Sequence, residues 1–188
     1  MKKLGSVAAL ILAAGLMAWP SLAQEAKKKE PMKPALGASA YLLETWNEIG
    51  RKLIAMAEDI PEDKYDFKPK PEMRSWVGQL VHAASGMYYF TNPVLGKPGP
   101  PDDPDRAQFK SRADVVAFVK KAVEDGAAVI KAQGDAGMSK PIDAGGPKLT
   151  RFDDLAYGLI EHSGEHYGQL VVYYRLNGLV PPESRPKK

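Results

Sequence analysis

The chain of 188 residues contains no cysteine. That excludes disulfides and a lipid carried on a mature N-terminal cysteine, so a domain of this size has to be stabilised by its own core. Long hydrophobic runs are also lacking. The one extended apolar stretch, Val7 to Trp19, falls short of the roughly 20 residues that a membrane-crossing helix needs. No segment alternates strictly between apolar and polar residues, which leaves little room for a sheet. Histidine is scarce, with three in all.

An excess of charge of one sign is lacking as well. The formal net charge is +3, but part of it sits at the extreme N-terminus. Met1-Lys2-Lys3, the apolar stretch and Ser21-Leu22-Ala23 have the layout of a secretory leader cut after Ala23, which predicts export to the periplasm with no membrane anchor after cleavage. Taking Lys2 and Lys3 from the 26 basic residues leaves 24 against 23 acidic ones. A near-neutral mature chain gives no reason to expect nucleic acid as a partner. The segment QEAKKKEPMKP, polar and broken by prolines, reads as a flexible tether. The expected organisation is a leader over residues 1–23, a linker over 24–37, one domain over 38–182 and a short tail over 183–188.

Within the domain the apolar residues have helical spacing. Leu42, Trp46, Ile49, Leu53, Met56 and Ile60 follow one another at intervals of 4, 3, 4, 3 and 4, with Ser39 as a candidate N-cap and Pro61 as a stop. A second helix is expected from Ser75 through Trp76, Leu80, Ala84 and Met87 to about Phe90, ended by Asn92-Pro93. The Pro- and Asp-rich stretch Gly96 to Asp105 reads as a surface connection. Ser111 with Asp114, and Thr150 with Asp153, have the spacing of capping boxes that open a third and a fourth helix. Between them, Gly137 to Lys148 reads as a loop with room for a short hairpin. The fourth helix is expected to reach Asn177, with Gly178 as its C′ residue. The fold class that follows is all-α, an antiparallel four-helix bundle.

Two of the three histidines, His162 and His166, lie four residues apart on the fourth helix, so both imidazoles leave one face and can share an ion. They fall on the seam Phe152, Leu155, Leu159, His162, His166, Gln169, Tyr173, where leucine would be expected. Burying such groups unpaired costs roughly 1–3 kcal/mol each, and a divalent metal ion would satisfy them. Glu161 and Glu165 flank the seam and, with Gln169, are candidates for orienting the rings. His82 is open to two readings. It is either a half-exposed surface residue or a group around which Gly78 and Gly86 clear space. The run His162-Ser163-Gly164-Glu165-His166 also fits the H-x-x-E-H pattern of inverted zinc proteases, but that pattern needs an acidic ligand downstream and only Glu183 is present. Trp46, Tyr88, Tyr89 and Tyr173 are candidates either for an aromatic cleft or for the core.

The segment EHSGEHYGQLVVYYRLNGLVPPES resembles the last helix of DinB-like proteins in His162, His166, Gly168-Gln169, Arg175 and Gly178 with Pro181. SWVGQLVHAASGMYYF resembles their second-helix signature and carries His82. Together the likeness spans about Ser39 to Pro182. It implies a four-helix bundle with a long crossover between helices 2 and 3. It also implies one divalent metal ion (zinc, nickel or iron) on His82, His162 and His166. Characterised relatives include transferases and an isomerase that use low-molecular-weight thiols, whereas many members have no known activity. The export signal departs from those relatives. The expectation is therefore an exported metal-dependent enzyme of hydrolase or thiol-transferase type acting on a small molecule. The alternative is a non-catalytic metal- or ligand-binding module. A homodimer through an apolar helix face is compatible with either.

Overall fold

The computed structural model describes residues 35–143 and 148–186. The leader expected over 1–23 lies outside the described residues, as does the linker expected over 24–37 apart from its last three residues. Among the described residues no helix is long and apolar enough to cross a membrane.

The chain is predominantly helical. α1 spans Ala38–Asp59, α2 Trp76–Val94 and α3 Arg112–Met138. A fourth helical run is made of three consecutive pieces: α4 (Arg151–Ala156), a π-helical turn (Tyr157–His162) and α5 (Ser163–Leu176). The only strands among the described residues are β1 (Pro141–Ile142) and β2 (Leu149–Thr150), an antiparallel pair in which Pro141 faces Thr150. α1 packs along α3, while α2 packs on both α3 and α5.

The caps explain most of the boundaries. Ser75 accepts from the Gly78 N–H, and both capping boxes, Ser111 with Asp114 and Thr150 with Asp153, make their reciprocal bonds. α1 departs from expectation. Gly37 is its N-cap and has no side chain to offer, and Ser39 lies inside the helix. The Ser39 N–H and hydroxyl instead donate to Asp135 Oδ1 at 2.8 and 2.6 Å, so a carboxylate near the end of α3 satisfies the start of α1. α2 also runs past Asn92-Pro93 to Val94, because proline so near the C-terminus sacrifices a single N–H. Gly134 breaks α3 near its end with φ of 56°.

The core sits between these helices. Trp46, fully buried, donates from Nε1 to the Val123 carbonyl at 2.8 Å, and its ring lies where a side chain on Gly126 would be. Trp76 lies between Tyr65, stacked at 5.7 Å, and Tyr174, edge-on at 6.2 Å. The Tyr174 hydroxyl donates to the Met56 carbonyl at 3.1 Å, tying α5 to α1.

The π-helical turn resets the phase of the last helix. A π turn takes in an extra residue, so the buried positions run Leu155, Leu159, Ser163, His166, Leu170 and Tyr173. The regular spacing read from the sequence placed His162 and Gln169 on that seam. Instead His162 is half-buried at its edge and Gln169 is exposed.

Candidate metal centre

His82, His162 and His166 come together where α2 meets the π turn and α5. Each offers a ring nitrogen, and these nitrogens lie within 4.8 Å of one another. The ring centroids are 4.3 Å apart for His162 and His166, 4.6 Å for His82 and His166, and 5.4 Å for His82 and His162. Of the two sequence readings of His82, the half-exposed one does not hold, since the residue is 7% exposed. Gly86 clears space for His162 rather than for His82. A Cβ there would stand 2.4 Å from His162 Cε1, so only glycine lets that imidazole lie against α2. Gly78 has another role, because its N–H is the one that Ser75 caps.

The hydrogen bonds define the chemistry of two of the rings. His82 Nδ1 lies 2.9 Å from the Asp102 carbonyl oxygen. A carbonyl only accepts, so His82 carries its proton on Nδ1 and presents Nε2 as a lone pair. Arg74 Nε donates to Asp103 Oδ1 at 2.7 Å and Ser85 Oγ to the Pro101 carbonyl at 3.0 Å, which pins the segment that bears this carbonyl. Arg74, and secondarily His82, hold the Asp103 carboxyl below the usual range. His166 meets the Gln79 amide through Nδ1, and Gln79 in turn meets Gln169. Gln79 Nε2 is the atom placed against His166 Nδ1, so the tautomer of this ring follows the orientation of that amide: with Oε1 turned to the ring, Nδ1 donates and Nε2 is left as a lone pair.

His162 Nε2 faces His166 Nε2 at 3.0 Å, and its Nδ1 is buried with no hydrogen-bond partner. Burial is the main force that pushes His166 down to about 4, with the neighbouring His162 next. Burial, then the His82 charge, lowers His162 as well. Near neutral pH these two imidazoles are uncharged, the form that ligates metal ions. Two imidazole nitrogens that face each other at hydrogen-bond distance, an orphaned ring nitrogen on His162 and an all-imidazole donor set together fit a borderline divalent ion.

Glu161 and Glu165 are both exposed, and the Glu165 charge acts on His162 to raise its pKa slightly against the effect of burial. Gln169 meets Gln79, and its side chain also acts on His166, raising its pKa against the effect of burial. Glu183, the acidic residue that the H-x-x-E-H pattern would require, is engaged in a double contact with Arg51 at 2.7 Å. Of the aromatic cleft candidates, Trp46 and Tyr173 are core residues, and Tyr88 donates to Asp125 Oδ2 at 2.8 Å. Only Tyr89 lines the cavity beside His162. Sequence reasoning assigned no role to Gln79, Asp102 or Asp103. Gln79 stands one helical turn before His82, and that spacing was the available signal.

Gly86→Ala separates site from fold. Alanine in a helix interior is ordinarily favoured over glycine by roughly 0.5–1 kcal/mol. Here the added methyl displaces the His162 ring, the mobile end of the contact. We expect metal-free protein that melts no lower than wild type, with zinc affinity about 10- to 100-fold weaker by competition with a chelator. Unchanged affinity would show that the Gly86 contact does not position His162.

A largely helical chain that gathers imidazoles from its second and last helices into one group, two buried and one half-buried, belongs to the class of helical proteins with a three-histidine cluster. The sequence profile of the DinB superfamily matches residues 45–170, more than half of the chain and the part that carries all three histidines. The chain belongs to that superfamily. Its fold is similar to that of a DinB-like protein from Bacillus subtilis, with a TM-score of 0.63 at 23% identity over 78% of this chain and 99% of that one. A DinB-like protein from Bacillus cereus gives a TM-score of 0.63 at 17% identity, over 75% and 93% of the two chains. No curated protein matches the chain.

Proposed function

We propose that the protein is an exported, metal-dependent enzyme that holds one divalent ion on His82, His162 and His166 and acts on a small molecule by hydrolysis or thiol transfer. The frame is an antiparallel four-helix bundle, with Gly96 to Asp105 as the long crossover between helices 2 and 3. Residues 1–23 are its export signal. The observation that carries the reading is the convergence of three imidazoles, two of them held uncharged by burial, beside a cavity of about 180 Å³ that His162 lines.

A bound divalent ion would supply Lewis acidity, polarising a substrate or lowering the pKa of water or a thiol. The protein's own groups do the rest. Asp102 and Gln79 fix the orientation and tautomer of His82 and His166 through their Nδ1 atoms. The helices exclude bulk water from two of the three rings. Three protein ligands, rather than four, leave coordination positions for a reactant, as a catalytic centre requires. Zinc, nickel and iron all suit such a donor set.

Elemental analysis of the purified mature chain tests the reading, with about one divalent ion per chain as the expected result. An ion present at about 100 times its Kd adds about 2.7 kcal/mol. For a domain of this size, chelation should therefore lower Tm by roughly 5–10 °C. Absence of a stoichiometric ion, with melting unchanged by chelator, sinks it.

A further inference from the structure

The cavity beside His162 has a composition that narrows the substrate, provided the metal reading above holds. Tyr89 and Phe90 of α2 form one wall, Tyr157 of the π turn another, and Pro100-Pro101 the third. The rings gather around Phe90: Tyr89 edge-on at 5.2 Å, Tyr157 edge-on at 6.0 Å, and His162 tilted at 5.8 Å. A Cβ on Gly158 would fall 1.9 Å from the Phe90 ring, so this glycine admits Phe90 against the π turn and shapes the wall.

Two features point to an occupant. Tyr89 and Tyr157 are 58% and 59% exposed although they line a concave site, so a large area of aromatic surface is left uncovered by the described residues. Two of the polar groups of the lining are also committed elsewhere, and the Tyr89 and Tyr157 hydroxyls carry no charge. Ser85 Oγ donates to the Pro101 carbonyl, and the Asp102 carbonyl accepts from His82. No lysine or arginine lines the cavity, and its one charged residue is Asp102, whose side chain is 80% exposed. Such a lining favours an uncharged apolar body and disfavours an anion. Volume sets the size, since a cavity of about 150 Å³ lined by apolar side chains is enough to bind benzene. At about 180 Å³ this one takes a single ring with one or two further atoms.

We infer that the cavity is the subsite for the apolar part of the substrate, an uncharged single-ring aromatic compound whose reactive group meets the metal beside His162. Substrates that carry carboxylate or phosphate on the ring are selected against.

The test uses the zinc-loaded mature protein and three thiol probes, each able to reach the metal, followed by calorimetry. Benzyl mercaptan should bind at least about tenfold tighter than 2-mercaptoethanol, the margin given by burying a ring. 4-(Mercaptomethyl)benzoic acid should lose that margin. Tyr157→Ala, a change at an exposed position, should erase the preference for the ring, with zinc content read on the same sample. Equal affinities for benzyl mercaptan and 2-mercaptoethanol on zinc-loaded protein overturn the inference and leave the metal site standing. A preference that survives Tyr157→Ala overturns it too, since the ring then binds elsewhere. A wild-type chain that takes up no zinc overturns the metal reading beneath it.

Discussion

His166→Ala is expected to leave the purified chain without a bound divalent ion, where the wild type carries about one. His166 is 7% exposed, and its Nε2 sits 3.0 Å from that of His162, so it is the group around which the other two rings converge. Its removal leaves two donors and a void that water can enter. Loss of groups that merely orient a ligand costs metal affinity 10- to 100-fold, so loss of the ligand itself should exceed roughly 100-fold. Gln79→Ala touches only the far side of the ring and should fall in the smaller range. The two variants therefore form a graded pair, read by elemental analysis after dialysis and by competition with a chelator. The His166→Ala chain should also melt alike with and without chelator. Retention of the wild-type ion by His166→Ala would falsify the three-histidine assignment.

Trp46→Ala is expected to have the largest effect on stability, about 3–5 kcal/mol, the usual loss for a fully buried large aromatic. Domains are stable by only about 5–15 kcal/mol, so the variant will sit near the threshold of folding. The contact can be probed from its other side. A Cβ at Gly126 would lie 1.7 Å from Trp46 Cζ2, so Gly126→Ala forces α1 and α3 apart or the indole out of place. Overpacking of this kind costs about 1–3 kcal/mol, more than the roughly 0.5–1 kcal/mol that alanine gains within a helix. Trp46→Phe shortens the ring and leaves room for the methyl. The double variant Trp46→Phe/Gly126→Ala should therefore lose less than the sum of the single losses. Urea denaturation at constant m-value measures all four chains. Strict additivity would mean that the two residues do not set the spacing of these helices.

Much of the fold was legible because it is written locally. The 4-3-4-3 spacing of α1 and the two capping boxes need only near neighbours, and the structure has all of them. The start of α1 was not legible, since its partner, Asp135, lies 96 residues away from Ser39. The π turn was missed for a related reason. Nothing in Tyr157-Gly158-Leu159-Ile160-Glu161-His162 breaks helical propensity, and the extra residue is accommodated by packing against α2, where Gly158 meets Phe90. One residue of phase moved Gln169 to the surface and Ser163 inward. At the site, the helical spacing of His162 and His166 is local, but the seat of His162 depends on Gly86 of α2, and that of His82 on a carbonyl 20 residues away. A stretch rich in proline and aspartate reads as solvated, and its polarity hides that the Asp102 carbonyl and the Asp102 and Asp103 carboxylates all close on His82 Nδ1.

Among the described residues, helices α1 and α3, which share the Trp46–Gly126 contact, supply none of the hydrogen-bond or ring partners of the three imidazoles. Those come from α2, from the π turn and α5, and from the segment around Asp102. Robustness and chemistry are thus carried by different halves of one small protein. Substitutions confined to the Trp46–Gly126 contact are expected to alter how much protein survives and to leave the hydrogen-bond partners of the three imidazoles in place. Over evolutionary time such a chain can diverge in tolerance without drifting in activity, and in activity without forfeiting its scaffold.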